Sequence, residues 1–461
     1  MEYKRHAEET VRKLAGMFGA VLVTGARQVG KTTLLQKMTR GVTYVTLDDK
    51  LQLTAAVTLS GTFFKDHTPP VFVDEIQELL SRHLRKSCAG FLGQDAEDDR
   101  RKAWCLARED DKVLRQKDKQ ESASDGLAVP EYAPELFPQM KIIIDREKKK
   151  GLFYLSGSQQ FRMMKHVSES LAGRLGILQL PGLSLREQSG VAFSVPFLPT
   201  DAYFSARKQE AMPIDYATVW RTIHRGSMPE LCAHPDFDWQ MFYAAYIKTY
   251  IERDVRDLAQ VGDEIKFLRF MTAAAACTGQ LLNVASLARD VDVSPPTAER
   301  WLSILVASHL IYLLSPYHNN ILKRAVKTPK LYFLDTGLAA YLTRWNTPEA
   351  LKSGAMAGAF FETFVVSELF KGYANAGVLD LPLYFYRDKE GREIDVLIET
   401  DGTLYPLEIK KHADPDRRDT ARFALLDKIP NTKRGPGGVI CLYDSLVTLQ
   451  DADRAIPVHL L

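Results

Sequence analysis

The chain has 461 residues, 46% hydrophobic and 26% charged, with a formal net charge of +2 at pH 7. That length has room for about three domains at roughly 150 residues each, and the composition is that of a well-cored globular protein. Near-neutrality excludes bulk electrostatic attraction to nucleic acid or to a membrane surface, though not a local basic patch.

The N-terminal stretch MEYKRHAEETVRKLAGMFG is too charged for a signal peptide, and no apolar run reaches the ~18 to 20 residues that span a bilayer. The five cysteines, Cys88, Cys105, Cys232, Cys277 and Cys441, form no C-x-x-C pair, so neither a zinc site nor a disulfide framework is indicated. A reducing cytoplasm and no membrane are expected.

Residues 4–18 read as a helix leading into a strand, Ala20 to Thr24. The loop GARQVGKTT follows (Gly25, Ala26, Arg27, Gln28, Val29, Gly30, Lys31, Thr32, Thr33) and runs into a helix, LLQKMTR. This is the Walker A spacing in its required setting, between an apolar strand and a helix. Its glycines let the backbone close on phosphate oxygens, and the helix N-terminus adds partial positive charge. Lys31 is expected on the β- and γ-phosphates of ATP and the Thr32 hydroxyl on Mg²⁺.

VTYVTLDD predicts a second strand and VFVDE a third, which places Asp74 to hold Mg²⁺ through water and Glu75 to polarise the attacking water. GLFYLSGS predicts another buried strand, at whose end Ser156, Ser158 and Gln159 could sense the γ-phosphate or simply cap a helix. Arg174 is the candidate for stabilising transition-state charge, in cis or from a neighbouring copy in a homo-oligomer, with Arg162 second. Apolar strands alternating with helices indicate a parallel sheet covered on both faces. The charged stretch 78–131 splits a connection that should be short, and reads as an insertion, mostly disordered.

Residues 181–270 turn helical, with the aromatic-rich WQMFYAAYIKTYIERDVRDL. VASLARDVDVSPPTAERWL and LIYLLSPYHNN give the profile of a winged helix within 271–345. A final unit over 346–461 opens with a helix around FFETFVVSELF and continues into a hairpin, EIDVLIE-TDGT-LYPLEIKK. A two-residue turn at Asp401-Gly402 makes Asp395 face Glu408, Val396 face Leu407 and Ile394 face Ile409, the last two pairs sharing one apolar face. Two opposed carboxylates with Cβ atoms ~5 Å apart repel unless a cation joins them. Mg²⁺ would explain the pair, with Lys410 beside it and Glu362 as a further acid; equally, Lys410, Lys411 or Arg392 could neutralise a structural cluster.

GARQVGKTT, FVDEIQ, YAPELFPQMK and FYLSGSQQF resemble bacterial and archaeal AAA-type ATPases that carry a C-terminal domain of unknown function similar to PD-(D/E)xK restriction-endonuclease folds. KTPKLYFLDTGL, GAFFETFVVSEL, EIDVLIE and PLEIKK carry the C-terminal part of that resemblance. It implies an α/β P-loop NTPase domain over 1–180, a helical lid over 181–270, the winged-helix region and a C-terminal α/β nuclease-like domain. It also implies ATPase activity, with Asp395, Glu408 and Lys410 as the D…ExK core and Glu362 as the helical acid. Two functions follow: an ATP-driven switch coupled to a module that cuts or grips DNA, or a regulatory ATPase whose C-terminal domain is a binding or assembly module. SPPTAERW contributes only Arg300 and no basic stripe, which favours the second.

Overall fold

The computed structural model describes residues 3–79, 136–158, 170–210, 212–250, 264–318 and 328–461. Nearly all of the expected insertion 78–131, together with Gln159, Arg162 and the end of the aromatic-rich segment, lies outside the described residues.

The first sheet is built on short, apolar central strands that could not face water, with a partly exposed strand, Thr43–Thr46, at one edge. β1 (Ala20–Thr24), β2 (Thr43–Thr46), β3 (Val71–Asp74), β4 (Phe153–Gly157) and β5 (Leu175–Gln179) lie in the order β2-β3-β4-β1-β5, every neighbouring pair parallel. Alternation sends Leu22, Val73 and Leu155 to one side, under the helices Lys50–Thr58, Ser60–Asp66 and Leu136–Glu147. It sends Val23, Phe72 and Leu178 to the other, under Ala7–Met17 and Lys31–Met38. Burial on both faces is why these strands read as continuous apolar runs. β4 lies between β1 and β3 and pairs Ser156 with Val23. The ends of β1, β3 and β4 therefore meet at the carboxyl edge of the sheet, where ligands bind in open α/β folds.

Helices Asp201–Lys208, Tyr216–Arg225, Pro229–Ala233, Trp239–Tyr250 and Glu264–Ala276 follow. Next come β6 (Gln280–Leu281), helices Val284–Asp290 and Pro295–Ala307, β7 (Ile311–Leu314) and β8 (Lys330–Phe333), the three strands forming an antiparallel sheet in the order β6-β8-β7. Both short helices start on a side-chain cap, Asn283 accepting from the Ser286 amide and Ser294 from that of Thr297, as their sequences favour.

The C-terminal part is a mixed seven-stranded sheet. β9 (Leu383–Arg387), β10 (Glu393–Thr400), β11 (Thr403–Ile409), β13 (Gly438–Cys441), β15 (Asp453–Pro457) and β14 (Val447–Gln450) run across it, and β12 (Lys433–Arg434) pairs with β11. Helix Ala357–Asn375 covers one face through Phe364 and Val365 against Val396 and Leu407. A 3-10 helix, Arg417–Lys428, covers the other through Phe423 and Leu426. The hairpin turns at Asp401 (φ 50°) and Gly402 (φ 73°), and Val396 pairs with Leu407 as expected.

The rest of that expected register does not hold. The β10–β11 ladder stops at Val396, and β10 slips against β9 between Ile394 and Leu397. A bulge there inserts one residue and reverses the in/out alternation. Ile394 consequently packs with Leu397 and Leu404 under the 3-10 helix, away from Ile409, which lies with Val396 beneath helix Ala357–Asn375.

One hydrophobic cluster runs from Val23 and Val29 through Trp220 and Phe267 to Phe364 and Leu461, so the phosphate-loop sheet and the C-terminal sheet share a core. Polar contacts pin the same seam. Glu368 accepts from the Leu185 amide (2.7 Å), Arg207 donates to the His459 carbonyl (2.7 Å), and the Thr10 hydroxyl donates to the Asn375 carbonyl (2.7 Å). At its centre the buried Asp335 carboxylate accepts from the Ser227 amide and hydroxyl, the Tyr243 hydroxyl and the Leu338 amide, at 2.6–2.8 Å. Burial, then Asp335, raise the Tyr243 phenol well above its usual range, so it stays a donor.

Removing an acceptor strands buried donors, each costing roughly 1–3 kcal/mol. Asp335→Ala is expected to destabilise the chain by about 3 kcal/mol or more, read as a lowered thermal midpoint. A midpoint within a degree of wild type would contradict this account of the seam.

Candidate functional site

The loop after β1 is shaped by its glycines. Gly25 has φ 147°, and a Cβ on it would meet the Leu180 carbonyl oxygen at 2.2 Å; Gly30, at φ 90°, precedes helix Lys31–Met38 in the left-handed region. No other residue fits position 25. The buried Arg5 guanidinium braces the loop from behind. It donates to the Val29 carbonyl (2.7 Å) and the Pro181 carbonyl (2.7 Å) and pairs with the fully buried Glu187 (3.0 Å). Burial opposes charge on Glu187, but Arg5 and His6 overcome it and hold its pKa below the usual range.

Lys31 is buried, and its ammonium donates to the carbonyls of Gly25 (3.0 Å) and Ala26 (2.8 Å). The Thr32 hydroxyl donates to Asp74 (3.0 Å), which also accepts from Tyr44 (3.1 Å), Ser156 and the Glu75 amide (3.1 Å). Burial and Asp74 push the Tyr44 phenol up to about 12. Glu75 has φ 54°, a left-handed conformation uncommon outside glycine, which turns its side chain off the strand end; it accepts a hydrogen bond from Gln77. Burial raises its carboxyl pKa above the usual range, against the pull of Lys31.

Arg27, Gln28, Lys31, Thr32 and Glu75 line one cavity of about 480 Å³. Its roof comes from the helical region: Pro229, Glu230, Phe242, Tyr246 and Thr249. Motif spacing located the floor, and only the fold reveals this roof, Arg5 and Tyr44. RGSMPEL, whose glycine and proline interrupt two helices, was the available signal for the roof.

Of the remaining expected residues, Ser158 is buried with a hydroxyl that has no hydrogen-bond partner among the described residues, and Thr33 lines the same cavity. Arg174 is corrected as a cis residue. It precedes β5 at the sheet's amino edge, about 16 Å (five residues at ~3.3 Å) from the edge that carries the phosphate loop, and it forms a two-pronged ion pair with Asp145 (2.6 and 3.0 Å).

At the C-terminal candidate site, Asp395 lies past the last ladder pair, and its carboxylate accepts from the Ile409 amide (2.8 Å). Glu408 is 1% exposed; one oxygen binds Lys410 (2.8 Å) and the other, Oε1, has no hydrogen-bond partner among the described residues. Burial and Asp395 push the Glu408 carboxyl up to about 8, outweighing the pull of Lys410. Burial would lower the Lys410 ammonium, but Glu408 and Asp395 raise it.

Burial, and then the charge on Asp395, raise the Glu362 pKa against the pull of Lys330, so this acid stands near Asp395. Glu362 pairs with Lys330 (2.9 Å) and accepts from Tyr332 (2.7 Å), and Lys330 also reaches Glu393 (2.5 Å). The cation that neutralises this side thus comes from β8, not from Lys411 or Arg392. Burial opposes the Lys330 charge, yet the two glutamates raise its pKa. Among the described residues no group of three or more His, Cys, Asp or Glu side chains could hold a metal ion. No helix among them is long and apolar enough to cross a membrane.

Comparison with known proteins assigns the segments. Residues 18–189 match an AAA domain, residues 217–349 a domain of unknown function (DUF8612), and residues 357–461 another (DUF4143). Uncharacterized proteins of Mycobacterium tuberculosis (strain ATCC 25618 / H37Rv) and Mycobacterium bovis (strain ATCC BAA-935 / AF2122/97) are each 32% identical over 297 residues, covering 64% of this chain. The chain spans 60% of the length of these relatives. The Walker-type ATPase PABY2304 of Pyrococcus abyssi aligns over 73% of this chain and 94% of its own at 13% identity and a TM-score of 0.39. The N-terminal domain is therefore ATPase-like, of AAA type, while the C-terminal sheet belongs to a domain of unassigned function.

Glu408 carries a pH signature. An unfolded chain releases that proton near 4.5, whereas the folded chain keeps it to about 8. The folded state binds more protons within that window, so this group's stabilising contribution is lost as pH rises through it. Glu408→Gln is expected to flatten the fall in thermal midpoint between about pH 5 and pH 8.5. A slope equal to wild type would contradict the assignment.

Proposed function

We propose that the chain binds and hydrolyses ATP with Mg²⁺, and that it works as a switch whose output is the C-terminal domain. The observation that carries this reading is the convergence of Lys31, Thr32, Asp74 and Glu75 at the edge of one parallel sheet, beneath a roof from the next unit.

The residues fit Mg²⁺: the Thr32 hydroxyl and the Asp74 carboxylate are 3.0 Å apart, and both are hard oxygen donors. Bound there, the ion would offset charge on the phosphate oxygens. Lys31 would exchange the loop carbonyls for phosphate, and Glu75 would orient and deprotonate the attacking water. Ser156 and Tyr44 keep Asp74 in place, and Ser158 supplies a hydroxyl at the next strand end. Arg174 would contribute only in trans, from a second copy. The shared core offers a mechanical route to the output: movement of the roof on the nucleotide also moves the packing around Trp220 and Phe267, which continues to Phe364.

Within the output region we read 271–345 as a winged helix, from its helices and three-stranded sheet, and 346–461 as a nuclease-like module. A binding or assembly role is favoured where Lys330 already satisfies Glu362 and Glu393. A metal-dependent role on DNA is favoured by the Glu408 Oε1, unpartnered among the described residues, beside Asp395. Those two carboxylates could hold a divalent ion, with Lys410 placed to balance phosphate charge.

Steady-state hydrolysis of MgATP by the full chain is expected, with Lys31→Ala abolishing it and Glu75→Gln slowing it by about 100-fold or more while binding persists. A wild-type rate no greater than that of Lys31→Ala would refute the ATPase. Separately, incubating DNA with Mg²⁺ or Mn²⁺ tests the metal-dependent role. Cleavage lost in Asp395→Ala and Glu408→Ala supports it, and cleavage unaffected by both excludes this site as a nuclease.

A further inference from the structure

Helix Pro295–Ala307 ends in a Schellman motif: the His309 amide bonds the Val306 carbonyl (2.9 Å) and the Leu310 amide bonds the Leu305 carbonyl (3.0 Å). The position after the cap requires a left-handed backbone, where glycine is favoured, yet here it carries His309 at φ 56°. That histidine is buried, 7% exposed, and its Nδ1 meets Gln179 on β5. With Ala26, Val29, Gln179 and Met228 it lines a small enclosed cavity behind the phosphate loop.

The polar atoms around it are unevenly matched. The Gln179 amide nitrogen lies 2.6 Å from the His309 Nδ1, and as it can only donate, Nδ1 accepts and Nε2 carries the hydrogen. Nε2 is buried with no hydrogen-bond partner among the described residues. Burial, helped by the charge on Lys31, pushes the imidazole pKa down to about 4, so the ring is a neutral donor. On the loop side the Ala26 carbonyl is held by the Lys31 ammonium at 2.8 Å. Phosphate would compete for that ammonium, and an Ala26 carbonyl released by Lys31 becomes an acceptor on the cavity that His309 also lines.

We propose that His309 is a positioning residue of the nucleotide site: when phosphate draws Lys31 off the Ala26 carbonyl, the His309 Nε2–H donates to that carbonyl in its place. This rests on the reading of the loop as an ATP site. It stabilises the loop in its phosphate-bound form and registers occupancy in the unit that carries His309. That unit is joined to the C-terminal sheet through β7, β8 and the Asp335 junction.

The test is calorimetric titration of MgATP into the full chain and its His309→Leu, His309→Gln and Lys31→Ala variants. Hydrogen exchange over residues 301–311 is followed in parallel. Glutamine places its amide N–H where Nε2 stood; leucine removes the donor. His309→Leu is expected to weaken MgATP binding about tenfold, the scale of one hydrogen bond. His309→Gln should stay within about twofold of wild type. MgATP should slow exchange over 301–311 in wild type and His309→Gln but not in His309→Leu. If His309→Leu does not fold, His309→Asn, whose amide reaches only the Nδ1 position, replaces it with the same expected loss.

Binding and protection in the donor-less variant equal to wild type would overturn the proposal, as would His309→Gln failing as badly as the donor-less variant. In both cases the ATP site itself would stand. Wild type that binds no more MgATP than Lys31→Ala would remove the ATP site, and this role with it.

Discussion

A buried ammonium must have oxygen acceptors, and Lys31 finds its own in the carbonyls of Gly25 and Ala26. Those carbonyls point inward because the loop is wound tightly, which requires a glycine at position 25 beneath the Leu180 carbonyl and a left-handed Gly30. Arg5 secures the same loop from outside through the Val29 carbonyl, with Glu187 supplying the opposite charge. The loop is thus held between two buried cations. One is fixed by an ion pair within the protein; the other is held by loop carbonyls and, in the function proposed above, exchanges them for phosphate.

This asymmetry links the fold to its chemistry. Asp74 collects donors from two strands, a helix and the amide that follows it (Tyr44, Ser156, Thr32 and Glu75), so its carboxylate is held in one orientation. Glu75 is turned aside by a left-handed backbone into a setting that raises its pKa. Conformations of this kind persist only where the surrounding structure enforces them, and they concentrate where chemistry is done. The roof above the loop belongs to a different stretch of chain, held at Ser227 by Asp335.

Local features were legible in the sequence and long-range partners were not. The strand Ala20–Thr24, the loop geometry and Asp74 could be read because each is set by neighbours a few residues away. The Asp401-Gly402 turn was legible for the same reason, and it fixed Val396 opposite Leu407. One bulge beyond that pair undid the expectation for Ile394, since alternation carries no information across an inserted residue. Arg174 had the right type and setting for a charge-stabilising arginine, but strand order put it at the wrong end of the sheet. Lys330 and His309 were missed altogether. A lysine opening an apolar strand and a histidine closing a helix look unremarkable until the fold sets them beside Glu362 and Ala26.

The central claim is that Lys31 is the exchangeable cation of a nucleotide site. Determining the structure with Mg²⁺ and a non-hydrolysable ATP analogue tests it most directly. The account predicts phosphate in the cavity under Phe242 and Tyr246, Lys31 Nζ withdrawn from the Gly25 and Ala26 carbonyls onto phosphate oxygens, and the Thr32 hydroxyl shifted from Asp74 to the metal. Lys31 still bonded to both carbonyls, with no nucleotide at the loop under saturating ligand, would contradict it.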